Sequence, residues 1–483
     1  MRKYLLIGVS AFVLGAGTMA YLNRPASATA ATRAETFKML ELFGDVLTTV
    51  DNQYVAPVDD KKLIQSAIDG MLTSLDPHSG YLNAADYSDM RDQTRGQYGG
   101  LGLEVTSDEG AVKVVSPMDD TPAARAGLQS GDYITAIDEQ SVVGLPLSDA
   151  VKKMRGAVGE AITLTVVRDS KDPFQVKLVR ESIDVKSAKG HMEGDYGYLR
   201  VSAFDEKTTD QAAAALQQLK TANPKMKGLV LDLRNNPGGL LDQAVGISSL
   251  FLDGGEVVSQ RGRDPKDIER YNARDHGDVL HGLPMVVLIN SGTASAAEIV
   301  SGALQDRHRA EVIGLTSFGK GSVQTVIPLH NGDDGALKLT TARYYTPSGR
   351  SIQKTGIEPD LEVAATSEQA EAAANEAFQF SEASFSNALN ADEGKIRRAP
   401  HKPAEAPPAG FDPKKDFQLA RALDVLRYGS VAATPKLPTV KAKIARFQAP
   451  PAKGDLPAND AKTTPPAQAL KPAAPSAAPA AKP

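Results

Sequence analysis

The sequence predicts an α/β core on a mostly parallel sheet, with a small β-rich domain of the inserted type ahead of it and helices on its flanks. Three patterns carry that reading. Residues 183–365 alternate apolar strand-like runs with helical stripes, as expected of strands joined by crossover helices. Residues 96–182 hold short β-like runs, opened by Gly99-Gly100-Leu101-Gly102. Residues 31–95 and 412–428 carry apolar side chains at helical spacing.

Residues 1–30 read as an export segment. Arg2 and Lys3 precede an uncharged, largely apolar run over 4–22, and Ala26-Ser27-Ala28 offers small residues to a signal peptidase. The run is also close to the ~20 residues that span a bilayer, so a retained anchor is the alternative to cleavage. In both cases the basic start stays cytoplasmic and the rest faces the periplasm or cell envelope. Membrane contact is expected only if the segment is retained.

In 31–95, Phe37, Leu40, Phe43 and Leu47 form one helical stripe, and Leu63, Ile64, Ala67, Ile68 and Met71 a second. These flanking helices pack on the core or form a surface for a second copy. In 96–182, strands are expected near 103–105, 112–115, 133–137 and 162–167, with a helix at 147–154. In 183–365, the run 228–233 is apolar without alternation until Asp232, which fits a strand covered on both faces. Further strands are expected at 198–201 and 285–289, with helices at 209–219, 240–250 and about 295–304. Ligands of such sheets bind beyond the C-terminal ends of the strands. That rule singles out the turns 235–239 and 291–295. Residues 366–433 include a Pro-rich stretch over 399–410 and the helix at 412–428. From 434 to 483 Pro, Ala and Lys dominate, a composition that cannot bury enough apolar surface to order itself. Contact with cell-wall polymer is the functional alternative for this tail.

Composition excludes several classes. The chain has 483 residues, enough for two or three domains. Its 54 Lys and Arg against 59 Asp and Glu leave a net charge of −5, which argues against nucleic acid as a partner. Cysteine is absent, so thiolate metal sites, disulfides and a Cys nucleophile are ruled out. No histidines stand at HExxH spacing, and no metal or other cofactor is expected.

The chemistry centres on Ser291-Gly292-Thr293-Ala294-Ser295-Ala296-Ala297-Glu298. Ser295 falls where a strand turns into a helix, and free N–H groups at a helix start favour an oxyanion. The same residues match a capping box, so Ser295 also reads as a helix cap. A nucleophilic serine needs a base. His308 lies in a charged, surface-like stretch. Lys320, between two glycines in Phe318-Gly319-Lys320-Gly321-Ser322-Val323-Gln324, has no neighbouring acid in sequence. Burial would lower its pKa and leave an amine able to take a proton. The alternative is an exposed loop lysine. Gln324 could hold that amine in place by a hydrogen bond. The run from Gly314 to Lys320 nearly matches a phosphate loop, but Gly321 replaces the required hydroxyl and a strand follows where a helix should. Ser351-Ile352-Gln353-Lys354 and Lys354-Thr355-Gly356 match two penicillin-binding motifs that would have to share one lysine.

These two motifs resemble the carboxyl-terminal processing proteases, also called tail-specific proteases. So do the segment from Leu231 to Gly239, the segment from Ala342 to Arg350, and Gly356-Ile357-Glu358-Pro359-Asp360. Residues 96–182 resemble a PDZ domain, above all Pro122-Ala123-Ala124-Arg125-Ala126-Gly127-Leu128 and Gly131-Asp132. The resemblance implies a ClpP/crotonase-like core and a serine–lysine endopeptidase, with Ser295 as nucleophile, Lys320 as general base and Gln324 positioning it. It implies oxyanion donors at Gly239 or Gly238 and at Ala296. The domains then read as a PDZ domain over 96–182, a protease core over 183–365 and a C-terminal helical region over 366–433.

In the PDZ-like part, the N–H groups of Leu101, Gly102 and Leu103 can receive a terminal carboxylate. Val151 and Met154 line a pocket for an apolar last side chain, or are core. Arg168 reaches toward the protease as a switch, or is an ordinary surface arginine. Expected partners are proteins with apolar C-termini, an adaptor, and a second copy through the flanking helices. The competing function is a non-catalytic periplasmic PDZ scaffold or holdase.

Overall fold

The computed structural model describes residues 26–439, apart from 109, 119, 169–171, 265, 275–276, 375–380, 391–402, 413 and 438. The apolar run over 4–22 and almost all of the Pro/Ala/Lys-rich tail lie outside the described residues.

Two sheets build the core. The first runs in the order Ala188–Glu193, Tyr196–Val201, Leu229–Asp232, Met285–Ile289, Glu311–Gly314, Leu361–Glu362. Its opening pair is antiparallel and every later pair is parallel. The two central strands read as unbroken apolar runs because both faces are covered. Leu229, Leu231, Met285, Val287 and Ile289 enter one cluster with the helices Thr208–Ala222, Leu241–Ser249 and Ala296–Asp306. Val230, Val286 and Leu288 face the opposite way, onto the helix Phe417–Tyr428. Each such side chain, fully buried, stabilises the fold by about 1.5–3 kcal/mol relative to exposure. The C-terminal helix is therefore a layer of the core. Arg234 pins its start, bonding the Asp416 carboxylate at 2.6 Å, and Asp416 caps the helix through the Leu419 N–H.

The second sheet is antiparallel throughout: Gly80–Leu82, Ala336–Tyr345, Glu256–Arg261 and Ile268–Asn272 in order, with Ser322–Pro328 also on Ala336–Tyr345. The expectation of a mostly parallel core thus describes only one of its two sheets. The strands Ser322–Pro328 and Ala336–Tyr345 are joined by a short connection, which only antiparallel strands allow. Gly80–Leu82 also means that 31–95 is not wholly helical; three residues are too few to show a period of two. The helix Ala26–Gln53 comes first in the chain, and Asp60–Thr73 and Ala84–Thr94 pack beside the strand. The first leaves Phe37, Leu40 and Phe43 exposed to solvent. Among the described residues no helix is long and apolar enough to cross a membrane.

Because Gly80–Leu82 belongs to the core, the β-rich domain is an insertion into it. Its two ends meet as the antiparallel pair Gln97–Gly100 and Glu181–Asp184. Between them lies a sheet in the order Leu103–Asp108, Ala111–Pro117, Tyr133–Ile137, Ala161–Val167, Phe174–Val179, with the helix Leu147–Met154 closing its own core of Ile134, Ile162, Leu164 and Ala150.

Candidate active site

The strand Met285–Ile289 ends in a turn whose last residue, Ser295, starts the helix Ala296–Asp306. Ser295 has φ 53° and ψ −116°, a conformation that costs a non-glycine residue about 1–3 kcal/mol. The surroundings enforce it. Thr293 donates its hydroxyl to the Leu233 carbonyl at 2.8 Å, and the Ala294 N–H reaches the Asn236 carbonyl at 2.9 Å. The capping box with Glu298 is present, the Ser295 N–H donating to the Glu298 carboxylate at 2.8 Å. Capping and reactivity are therefore compatible here: the same cap that closes the helix holds the hydroxyl in a strained turn.

Against this turn lies the loop after Leu229–Asp232. The Asn235 N–H donates to Asn290 Oδ1 and Asn290 Nδ2 donates to Asn235 Oδ1, both at 2.8 Å, which locks the two strand-end turns together. Gly238 has φ 97°, and a Cβ there would come within 2.8 Å of Ser295 Cβ. A Cβ on Gly239 would fall 2.1 Å from the Phe204 carbonyl oxygen. Only glycine lets the loop approach this closely. The Gly238 N–H already donates to Asn236 Oδ1 at 2.9 Å. Gly239 and Ala296 have N–H groups without an acceptor among the described residues, so of the two glycines named as oxyanion donors Gly239 is the one with a free donor.

Lys320 reaches the same place from the loop between Glu311–Gly314 and Ser322–Pro328. Glu298 is the residue that joins them. It is fully buried, and its carboxylate accepts from the Ser317 hydroxyl (2.5 Å) and from the N–H groups of Gly319 (2.7 Å), Ser295 (2.8 Å) and Lys320 (2.9 Å). Burial pushes this carboxyl up to about 7 against the pull of those four donors. Sequence reading found Glu298 only as a capping partner. Burial also lowers the Lys320 amine below the ordinary lysine value, helped by the nearby Lys338 ammonium; Glu382, Glu298 and Asp76 pull the other way.

Ser295, Lys320, Gln324, Gly238 and Gly239 line one cleft of about 630 Å³, walled by Phe204, Leu240 and Tyr344. The Ser295 hydroxyl and the Lys320 amine are not hydrogen-bonded to each other in this state, as is common before substrate binds. Gln324 does not bond Lys320 either. Its Nε2 donates to Ser322 Oγ at 2.9 Å and to Thr340 Oγ1 at 3.2 Å.

The inserted domain carries a second, smaller pocket of about 120 Å³, lined by Leu101, Gly102, Leu103, Val151 and Met154 together with Tyr98, Gly100, Val105 and Arg155. All five residues named from sequence meet there. Met154 is buried and belongs to the domain's core as well as to the pocket. Gly102 has φ 75°, and a Cβ there would strike Thr121 at 2.3 Å. Leu103–Asp108 is an edge strand, so an extended peptide can be added beside it. Tyr98 and Arg155, which sequence reading did not single out, line both this pocket and the larger cleft. The Arg155 guanidinium stacks 4.4 Å from the Tyr98 ring centre.

Among the described residues, Arg168 bonds within the inserted domain. Its Nε and a terminal nitrogen hold the two oxygens of buried Asp132 at 2.6 and 2.8 Å, and it also donates to the Gly127 carbonyl. The reason is local: Asp132 has no exposure, and a buried carboxylate needs a partner charge. In this conformation Arg168 ties the inserted domain together.

Residues 195–363 match peptidase family S41, residues 113–168 match a PDZ domain, and residues 13–86 match the N-terminal domain of the activating protease CtpB. A carboxy-terminal-processing protease of Bartonella bacilliformis is 55% identical over 331 residues, which is 68% of this chain and 76% of that protein. A probable CtpA-like serine protease of Staphylococcus epidermidis is 36% identical over 326 residues, 66% of this chain and 64% of its own length. Among solved structures, a photosystem II D1 C-terminal processing protease aligns at 30% identity over 67% of this chain and 92% of that chain, with a TM-score of 0.40.

Proposed function

The chain belongs to the carboxyl-terminal processing serine proteases of peptidase family S41, and on that premise we propose a Ser295–Lys320–Gln324 mechanism for it. Lys320, uncharged, takes the Ser295 proton as Oγ attacks a substrate carbonyl. The oxygen that becomes negative is received by the N–H groups of Gly239 and Ala296, which favours the tetrahedral state over the planar one. The Lys320 ammonium then returns its proton to the leaving amine, and water hydrolyses the acyl-serine. The observation that carries this reading is the one cleft lined by the serine, a lysine with a lowered pKa and Gly239, whose N–H has no acceptor among the described residues; the equally unpartnered N–H of Ala296 follows the serine directly in the chain.

The PDZ domain supplies recognition in this proposal. A substrate's terminal carboxylate sits on the N–H groups around Leu101–Leu103, with its last apolar side chain against Val151 and Met154. Tyr98 and Arg155, shared by pocket and cleft, support one continuous path for the tail. Export through the N-terminal segment to the periplasm or cell envelope, with cleavage of that segment or its retention as an anchor, completes the reading. The exposed stripe of Phe37, Leu40 and Phe43 supports pairing with a second copy.

The test is cleavage of an unfolded protein bearing an apolar C-terminus. Ser295→Ala should abolish it, and an amidated tail should raise KM about tenfold while leaving kcat unchanged, since one charge-assisted contact is lost. An amidated substrate cleaved as well as the free acid would remove the PDZ reading. A second expectation concerns pH. A base acts only when deprotonated, so activity rises with pH through the lowered Lys320 pKa. Lys338→Met removes a like charge, which raises that pKa and moves the acidic limb of the kcat/KM profile to higher pH. A shift to lower pH would contradict the assignment.

A further inference from the structure

Gln324 faces the cleft, yet what it can do there depends on which end of its amide points inward. Its Nε2 is held by Ser322, which also lines the cleft, and by Thr340, the Thr340 contact being made across the ladder between Ser322–Pro328 and Ala336–Tyr345. Thr340 Oγ1 donates in turn to Asp76 Oδ1 at 3.0 Å. The same carboxylate accepts the His78 and Ser79 N–H groups, each at 2.9 Å, and the Ser79 hydroxyl at 2.8 Å. Asp76 is buried. Burial would raise its carboxyl, but the hydrogen bonds from Ser79, the His78 amide and Thr340 outweigh it and hold it below the ordinary value, so it stays ionised.

An ionised carboxylate can only accept. Thr340 has one hydroxyl proton, and Asp76 takes it. The Thr340 oxygen then has only lone pairs to offer Gln324, which must present its NH₂ to them. Flipping the amide would set two oxygens against each other. That leaves the Gln324 carbonyl, which accepts no hydrogen bond among the described residues, as the end free to take one from an amine.

We propose that Asp76, from the segment that joins the N-terminal helices to the core, is a positioning residue: acting through Thr340, it decides that Gln324 turns its carbonyl oxygen toward Lys320. A second line from the same segment steadies the other side of the lysine loop. His78 Nε2 lies 2.7 Å from Glu382, whose other oxygen accepts from Gln353 Nε2 at 2.9 Å, and Gln353 accepts the Gly321 N–H at 3.0 Å. Residues 76–79 thus brace both Gln324 and the lysine loop.

This inference rests on the Ser295–Lys320–Gln324 reading, and the test separates the two. Full-length wild type, Thr340→Val, Thr340→Ser, Gln324→Ala and the double variant Gln324→Ala/Thr340→Val are compared on one tail-bearing substrate. Thr340→Val should lower kcat about tenfold with KM unchanged, the worth of one hydrogen bond that sets an orientation. Thr340→Ser should restore it. In the Gln324→Ala background, Thr340→Val should change kcat no further, because its target is gone. Full kcat in Thr340→Val, or an equal fall in both backgrounds, overturns the relay while leaving the Ser–Lys chemistry standing. Undiminished activity in Lys320→Ala, measured alongside, overturns that chemistry and the relay with it.

Discussion

Lys320→Ala should lower kcat by about 10³–10⁴-fold, the upper range of a general base's contribution, with little change in KM. The serine stays in its strained turn, because that turn is held by Glu298, Asn236 and Thr293, and residue 320 meets Glu298 through its backbone N–H, which the substitution keeps. Lys320→Arg is the sharper experiment. It keeps a long basic side chain, but a guanidinium does not deprotonate near neutral pH, so it cannot serve as a base. Loss in Lys320→Arg comparable with that in Lys320→Ala would show that a free lone pair is what the site requires. The double variant Ser295→Ala/Lys320→Ala should be no worse than Ser295→Ala alone, as expected of groups that act as a unit. Single-turnover kinetics on a tail-bearing substrate measures all of these. Appreciable activity in Lys320→Arg would contradict the mechanism.

The second large effect is expected at Glu298. Glu298→Ala strands a buried hydroxyl and three backbone N–H groups at once, each worth about 1–3 kcal/mol when left without a partner. Relaxation recovers part of this, so a loss of about 3–5 kcal/mol is expected, read as a lower urea midpoint. Activity should fall further than stability. The nucleophile and the lysine loop reach each other through this carboxylate, and a misplacement near 1 Å costs about 100-fold. Glu298→Gln keeps one acceptor oxygen of the two and should fall between wild type and Ala on both measures. If Glu298→Ala were as active as wild type under conditions where it is folded, the carboxylate would be a cap and nothing more.

Much of this architecture could be read in the sequence, and the reasons are local. The two unbroken apolar runs announced buried parallel strands, and Met285–Ile289 has the bounds the pattern suggested. The helix Leu147–Met154 likewise follows from its own periodicity. Ser295, Lys320, Gln324 and Gly239 could be named because short motifs surround them. The antiparallel sheet was not legible. Its pairs Gly80–Leu82 with Ala336–Tyr345, and Glu256–Arg261 with Ala336–Tyr345, join segments far apart in the chain, and no local pattern encodes such a partner. The partner of Arg168 was not legible either, because nothing adjacent marks Asp132, 36 residues away, as its buried counter-charge.

What the sequence determined by itself is the set of chemical groups and their local geometry: a serine at a strand-to-helix turn, glycines where no Cβ fits, a lysine in a loop without acids beside it. Which of these groups share an environment is settled by the fold. Glu298 meets Gly319 and Lys320, and Asp76 meets Thr340 264 residues on, because packing brings them together. Burial then sets their charge. Hydrogen bonds and desolvation act over a few ångströms of space, whatever the distance along the chain, so the state of the lysine and the facing of the glutamine belong to the folded molecule alone.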